Sequence, residues 1–250
     1  MSEYSLTGVQ GLDGLLNGGI PTGRVVLIIG GPGSGKTTLA SQFLYKGILD
    51  FGENAVFVSL DESKEHYFAE MQNFGWDFKK AEEEGKFFFL DATRMSRAAL
   101  LGAKFGGAQS SLRDKQLPID KLVESLVPEL HRIGAKRVVV DTLATLFQRF
   151  PDPLERRAAV VDLVESLSEL KITTLITTEL GRLSLDRDVS SEEYMAHGVI
   201  LMQTLFSQGV TSRALQIVKM RGTKINPNIV PYTIDNNGIE IFPDVTLFRS

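Results

Sequence analysis

The clearest chemistry in the chain lies in one run, Gly30-Gly31-Pro32-Gly33-Ser34-Gly35-Lys36-Thr37-Thr38. It fits G-x-x-x-x-G-K-[ST], in which glycines let backbone N–H groups converge on phosphate oxygens. Gly31, Pro32, Gly33, Ser34, Gly35 and Thr38 are the predicted cradle, Lys36 the group reaching the β- and γ-phosphates, and Thr37 a hydroxyl ligand for Mg²⁺. The predicted ligand is a nucleoside triphosphate with its Mg²⁺. Asp141, at the end of the apolar run Val138-Val139-Val140, is the second expected Mg²⁺ contact, opposite Thr37. Asp61 and Glu62 leave another apolar run, where a carboxylate can deprotonate a water attacking the γ-phosphate. Asp61 or Ser63 can equally cap a helix over 63–73. Thr177, Thr178 and Glu179 end a later run, as γ-phosphate contacts or as β-branched strand filler. Lys219 and Arg221, two positions apart on a strand, point the same way and fit an ordinary solvent face.

These residues need a scaffold. Val25–Ile29 is a continuous apolar strand ahead of the glycine loop, and Lys36–Leu49 repeats apolar residues at helical spacing behind it. Strands over 55–60, 87–91, 137–141 and 172–179 alternate with helices over 63–73, 119–133 and 153–170. That alternation predicts an α/β fold, a mostly parallel sheet flanked by helices on both faces. Asp61 is expected on a strand neighbouring the phosphate-loop strand. Four strands over 198–204, 212–220, 231–234 and 238–242, with the hairpin turn Asp235-Asn236-Asn237-Gly238, predict a C-terminal antiparallel β extension. The glycine-rich segment 7–24 reads as a connector with a short helical face of Leu12, Leu15 and Leu16.

With 250 residues the chain suits one large α/β domain, a core over about 5–205 and the extension over about 206–245. The absence of cysteine excludes disulfides and thiolate metal sites. No run is long enough for a membrane span and the N-terminus lacks a basic-then-apolar signal, so a cytoplasmic location is expected. A net charge of −4 gives no overall attraction to nucleic acid. Within 92–116, however, Arg94, Arg97, Lys104, Arg113 and Lys115 face only Asp114, a net of +4. That stretch fits a lid, a polyanion contact or a solvated insertion.

Taken together, Thr7-Gly8-Val9, Gly11-Leu12-Asp13, the Gly18–Gly23 turn, the glycine loop, Asp61-Glu62, Val138–Asp141 and Lys219-Met220-Arg221-Gly222-Thr223 resemble the KaiC family of RecA-like ATPases. The resemblance covers about residues 4–245 and is strongest to single-domain KaiC-like proteins of archaea. It implies a RecA-like P-loop NTPase core, ATP with Mg²⁺, and a homohexameric ring with ATP between subunits. It implies that Lys219 and Arg221 reach the γ-phosphate bound by the neighbouring subunit. The family carries two glutamates where this chain has Asp61 and Glu62, so either acid can be the base, with slow turnover expected from the shorter one. Glu193 and Tyr194 match the family's phosphorylated positions, so autokinase activity there is not expected. The alternative is a RecA/RadA-like ATPase binding single-stranded DNA through loops 142–153 and 179–193. The first is neutral, with Arg149 against Asp152. The second sets Arg182 and Arg187 against Glu179, Asp186, Asp188, Glu192 and Glu193, a net of −3 that disfavours phosphate contact. A protein partner is also open.

Overall fold

The structure, a computed structural model, describes residues 3–93, 112–147, 152–179, 191–207 and 210–245. Arg94, Arg97 and Lys104 of the basic stretch, and Arg149, Arg182, Asp186, Arg187 and Asp188 of the two loops, lie outside them.

A two-stranded pair, β1 (Tyr4–Ser5) and β2 (Ile20–Pro21), encloses the short helix α1 (Leu12–Leu15). Asp13 of this segment accepts from the Thr7 N–H at 2.8 Å, so the Gly-Leu-Asp run folds the N-terminal segment on itself. The main sheet then begins with β3 (Val25–Gly30), followed by α2 (Lys36–Phe51), β4 (Ala55–Ser59), α3 (Lys64–Gln72), α4 (Phe78–Glu83) and β5 (Phe87–Asp91). Next come α5 (Leu112–Ile133), β6 (Arg137–Asp141), α6 (Leu143–Phe147), α7 (Pro153–Glu169), β7 (Thr173–Glu179), α8 (Ser191–Met195) and β8 (Gly198–Ser207). The chain closes with β9 (Val210–Met220), β10 (Val230–Asp235) and β11 (Gly238–Ile241).

The sheet order is β11-β10-β9-β8-β3-β7-β6-β4-β5, with β8-β3-β7-β6-β4-β5 parallel and the last three strands antiparallel. Every residue of β3 is buried. Its alternate side chains serve opposite faces: Val26 and Ile28 join a core with Leu39 and Phe43 of α2, while Val25, Leu27 and Ile29 join one with α5 and α7. This two-sided burial is why β3 carries no alternating polar residues.

Three expectations are corrected. β4 does not neighbour β3; β7 and β6 stand between them, because local periodicity identifies strands without ordering them. Residues 198–207 are not part of an antiparallel extension alone: β8 pairs parallel to β3 on one side and antiparallel to β9 on the other. Helix α5 begins at Leu112, not 119, and runs through Pro118. A proline usually ends a helix, but Leu122, Leu126 and Leu130 at four-residue spacing bury this one on the sheet.

The foot of β6 is held by Arg137, which is fully buried. Its Nε donates to Glu53 Oε2 at 2.6 Å, its Nη1 to the Phe43 carbonyl at 2.8 Å, and its guanidinium lies 4.4 Å from the Phe43 ring centre. Gly47 makes the room, since a Cβ there would stand 2.4 Å from Arg137 Cδ. Arg137→Ala is expected to cost about 3 kcal/mol, because it removes a fully buried guanidinium with its hydrogen bonds to the part-exposed Glu53 and to the Phe43 carbonyl, and to lower the melting temperature by about 6–12 °C. A melt within a degree of wild type would show that the pair contributes nothing.

Candidate active site

The glycine loop joins β3 to α2, and its conformation depends on glycine. Gly33 and Gly35 have φ of 70° and 84°, and a Cβ on Gly30 would lie 2.5 Å from Ser34 Oγ. Ser34 Oγ donates to the Gly31 carbonyl at 2.8 Å, closing the turn. Gly35 is the N-cap of α2 and offers no side chain to its first N–H groups, which leaves them for an anion along with the positive end of the helix dipole. Lys36 Nζ donates to the Gly30 and Gly31 carbonyls, each at 3.0 Å, and so lies folded over the loop. Burial pulls the Lys36 ammonium below its ordinary range, opposed by Asp141 and Glu179.

Thr37, on the first turn of α2, donates to Asp141 Oδ2 at 2.9 Å, and Thr177 donates to the other carboxylate oxygen. Burial raises the Asp141 carboxyl, against the hydrogen bonds from Thr177 and Thr37. A hydroxyl and a carboxylate side by side beside a phosphate cradle form an all-oxygen donor set that suits Mg²⁺. Thr177, legible in the sequence only as phosphate contact or filler, instead orients Asp141. Thr142, next in chain, donates to the Thr177 carbonyl at 3.2 Å and ties β6 to β7 at the same level.

Asp61 and Glu62 follow β4. Ser59 Oγ donates to the Glu62 carbonyl at 2.7 Å and accepts from the Glu62 N–H at 3.0 Å, which shapes the turn. The cap of α3 is Ser63, whose hydroxyl accepts from the His66 N–H, so Asp61 is not used as a cap. Both acids line a cleft of about 500 Å³ with Lys36, Thr37, Asp141 and Glu179. Burial raises the Asp61 carboxyl, with Asp141 and Glu179 adding to it. Burial, then Glu70, Asp141 and Asp61, pushes Glu62 up to about 7. A carboxylate poised near neutrality can take a proton from water. His66 and Glu70 also line the cleft, though no motif marked them; their four-residue spacing on α3 was the available signal.

Lys219 and Arg221 are not in this cleft. β9 runs antiparallel to β8, so Met220 pairs with Gly198, whereas Gly30 pairs with Met202, halfway along β8. Four residues of strand separate the two levels, about 13 Å. The two cations do act together: Lys219 Nζ and Arg221 Nη2 both donate to the Tyr194 carbonyl, at 3.2 and 3.1 Å. Burial, then Arg221, lowers the Lys219 ammonium, with Glu193 opposing. Arg221 is exposed and borders a second cleft, between α7 and α8, of about 440 Å³. Of the two positions matched to phosphorylated residues, Glu193 is buried and Tyr194 is 59% exposed.

Among the described residues no helix is long and apolar enough to cross a membrane. The profile of the KaiC ATPase family matches residues 5–246. The UPF0273 protein MJ1359 of Methanocaldococcus jannaschii is 34% identical over 246 residues, 96% of this chain and 97% of that protein. The circadian clock oscillator protein KaiC of Synechococcus elongatus is 31% identical over 238 residues, which span 95% of this chain but only 44% of that protein. Among solved structures, the KaiC-like protein PH0186 of the hyperthermophilic archaeon Pyrococcus horikoshii is 34% identical with a TM-score of 0.78, covering 95% of this chain and 98% of that one. A nine-stranded sheet of RecA-like form, a phosphate loop on its central strand, and a family match over nearly the whole length agree: the chain belongs to the KaiC family of ATPases.

Proposed function

We propose that this chain is a Mg²⁺-dependent ATPase whose site is completed by a second copy of itself in a homohexameric ring. One observation carries the reading: the phosphate loop and its acids share a cleft, while the cation pair of the same subunit lies outside it, with Lys219 level with Leu27 in the middle of β3 and Arg221 beyond the end of β9. In the proposed reaction Gly31–Thr38 hold the phosphates and Lys36 compensates charge on the β- and γ-phosphates. Thr37 and Asp141 hold Mg²⁺, which neutralises phosphate charge when bound. Asp61 or Glu62 takes the proton of the attacking water as its oxygen bonds to γ-phosphorus. The bond from γ-phosphorus to the β–γ bridging oxygen breaks, giving ADP and phosphate. Lys219 and Arg221 of the neighbour stabilise the charge on the transferring group. The hydrolysis cycle would change the ring surface seen by a protein partner.

Phosphate release and sedimentation test this together. The expected result is a hexamer with ATP and Mg²⁺, slow phosphate release that stops on chelation, and no stimulation by single-stranded DNA. A stable monomer at micromolar concentration that hydrolyses ATP at the same rate per chain would contradict the shared site. Stimulation by single-stranded DNA would favour the recombinase-like alternative.

A further inference from the structure

The C-terminal hairpin reaches the phosphate loop. Tyr232 Oη, on β10, donates to the Ser34 carbonyl at 2.6 Å, and both residues are buried. Ile234, two positions along and on the same face of β10, holds its Cδ1 2.6 Å from where a Gly35 Cβ would stand. The hairpin is itself fastened to α2 by Gln42, which accepts from the Ile239 N–H at 2.7 Å and donates to the Ile239 carbonyl at 3.1 Å. Strands distant in sequence thus clamp both the loop and the helix that follows it.

A trans peptide is planar, with its C=O and N–H on opposite sides. Holding the Ser34 carbonyl toward β10 therefore aims the Gly35 N–H away from the hairpin. Glycine at 35 permits the left-handed backbone at that point but does not by itself select it, because glycine occupies several regions about equally well. A hydrogen bond on the preceding carbonyl selects one. We propose that Tyr232 is a positioning residue for phosphate binding: through the Ser34 carbonyl it fixes the direction in which Gly35 N–H is offered to the nucleotide. The ring carries the hydroxyl to the loop and Ile234 closes the space behind Gly35. This inference rests on the nucleotide-binding reading given above and adds a residue of the C-terminal hairpin to the cradle.

Calorimetric titration of the full-length chain with Mg·ATP and Mg·ADP tests it. Tyr232→Phe removes only the hydroxyl, and is expected to raise Kd for both nucleotides about tenfold. The turnover number at saturating ATP should change less than about twofold, because the interaction is made equally in ground and transition states. Ile234→Val removes the Cδ1 methyl, is mild enough to fold, and should raise Kd about twofold. Ile241→Val weakens the same hairpin from a buried position on β11. It should lower the melting temperature and leave Kd unchanged. Wild-type Kd in Tyr232→Phe, or an equal rise in all three variants, overturns the role of Tyr232 and leaves nucleotide binding standing. If Tyr232→Phe does not fold, Ile234→Val decides alone. A wild-type chain that binds neither nucleotide overturns both.

Discussion

Replacing Arg221 with alanine is expected to lower the turnover number for ATP hydrolysis about 10³-fold, the lower range for a finger residue acting on a transferring phosphoryl group. The fold should not suffer. Arg221 is exposed, follows the last residue of β9, and donates to the Tyr194 carbonyl. It lies outside the cleft that holds its own Lys36, so the subunit's own cradle keeps its geometry and its affinity for nucleotide. Lys219→Ala should act in the same direction. Phosphate release at saturating ATP, with sedimentation to verify assembly, is the measurement. A loss below tenfold in intact oligomers would place the charge-stabilising group elsewhere.

The second large effect belongs to the acids after β4. Asp61→Ala combined with Glu62→Ala is expected to reduce phosphate release about 10²–10⁴-fold, the contribution of a positioned general base. ATP binding should persist, because neither acid belongs to the phosphate loop. The single variants Asp61→Asn and Glu62→Gln identify the base. If it is Glu62, its carboxyl is raised to about 7 by burial and by Glu70, Asp141 and Asp61. A base must be deprotonated, so the rate of the nucleotide-free enzyme meeting substrate, kcat/KM, should rise as pH climbs through about 7. Glu62→Gln should remove that limb. Survival of the limb in Glu62→Gln and its loss in Asp61→Asn would assign the role to Asp61. Unchanged release in the double variant would exclude both acids.

The local parts of this site were legible in the sequence, because Gly30–Thr38 brings strand, loop and helix into one contiguous spacing. The carboxylates were legible as strand-ending acids, and the structure brings Asp61, Glu62 and Asp141 into one cleft. What local periodicity does not contain is strand order. Four apolar strands look alike whether or not they touch, so β4 seemed adjacent to β3 when two strands intervene. The same blindness hid the parallel pairing of β8. Choice between two short polar side chains was also out of reach: Asp61 and Ser63 both suit a cap, and Ser63 takes it. Tyr232 was missed for a plainer reason. Its tie to Ser34 is a single hydrogen bond across 198 positions, and an isolated tyrosine on a strand carries no signal of it.

The claim that each site is built by two subunits is tested most directly by mixing two inactive proteins. Lys36→Ala removes the phosphate contact and keeps Lys219 and Arg221; Arg221→Ala keeps the cradle and loses the finger. In co-assembled oligomers at equal amounts, about a quarter of the interfaces pair an intact loop with an intact finger. The prediction is that phosphate release returns to about a quarter of the wild-type rate in the mixture. Release no greater than the sum of the two variants alone, in oligomers shown to contain both, would contradict the shared site.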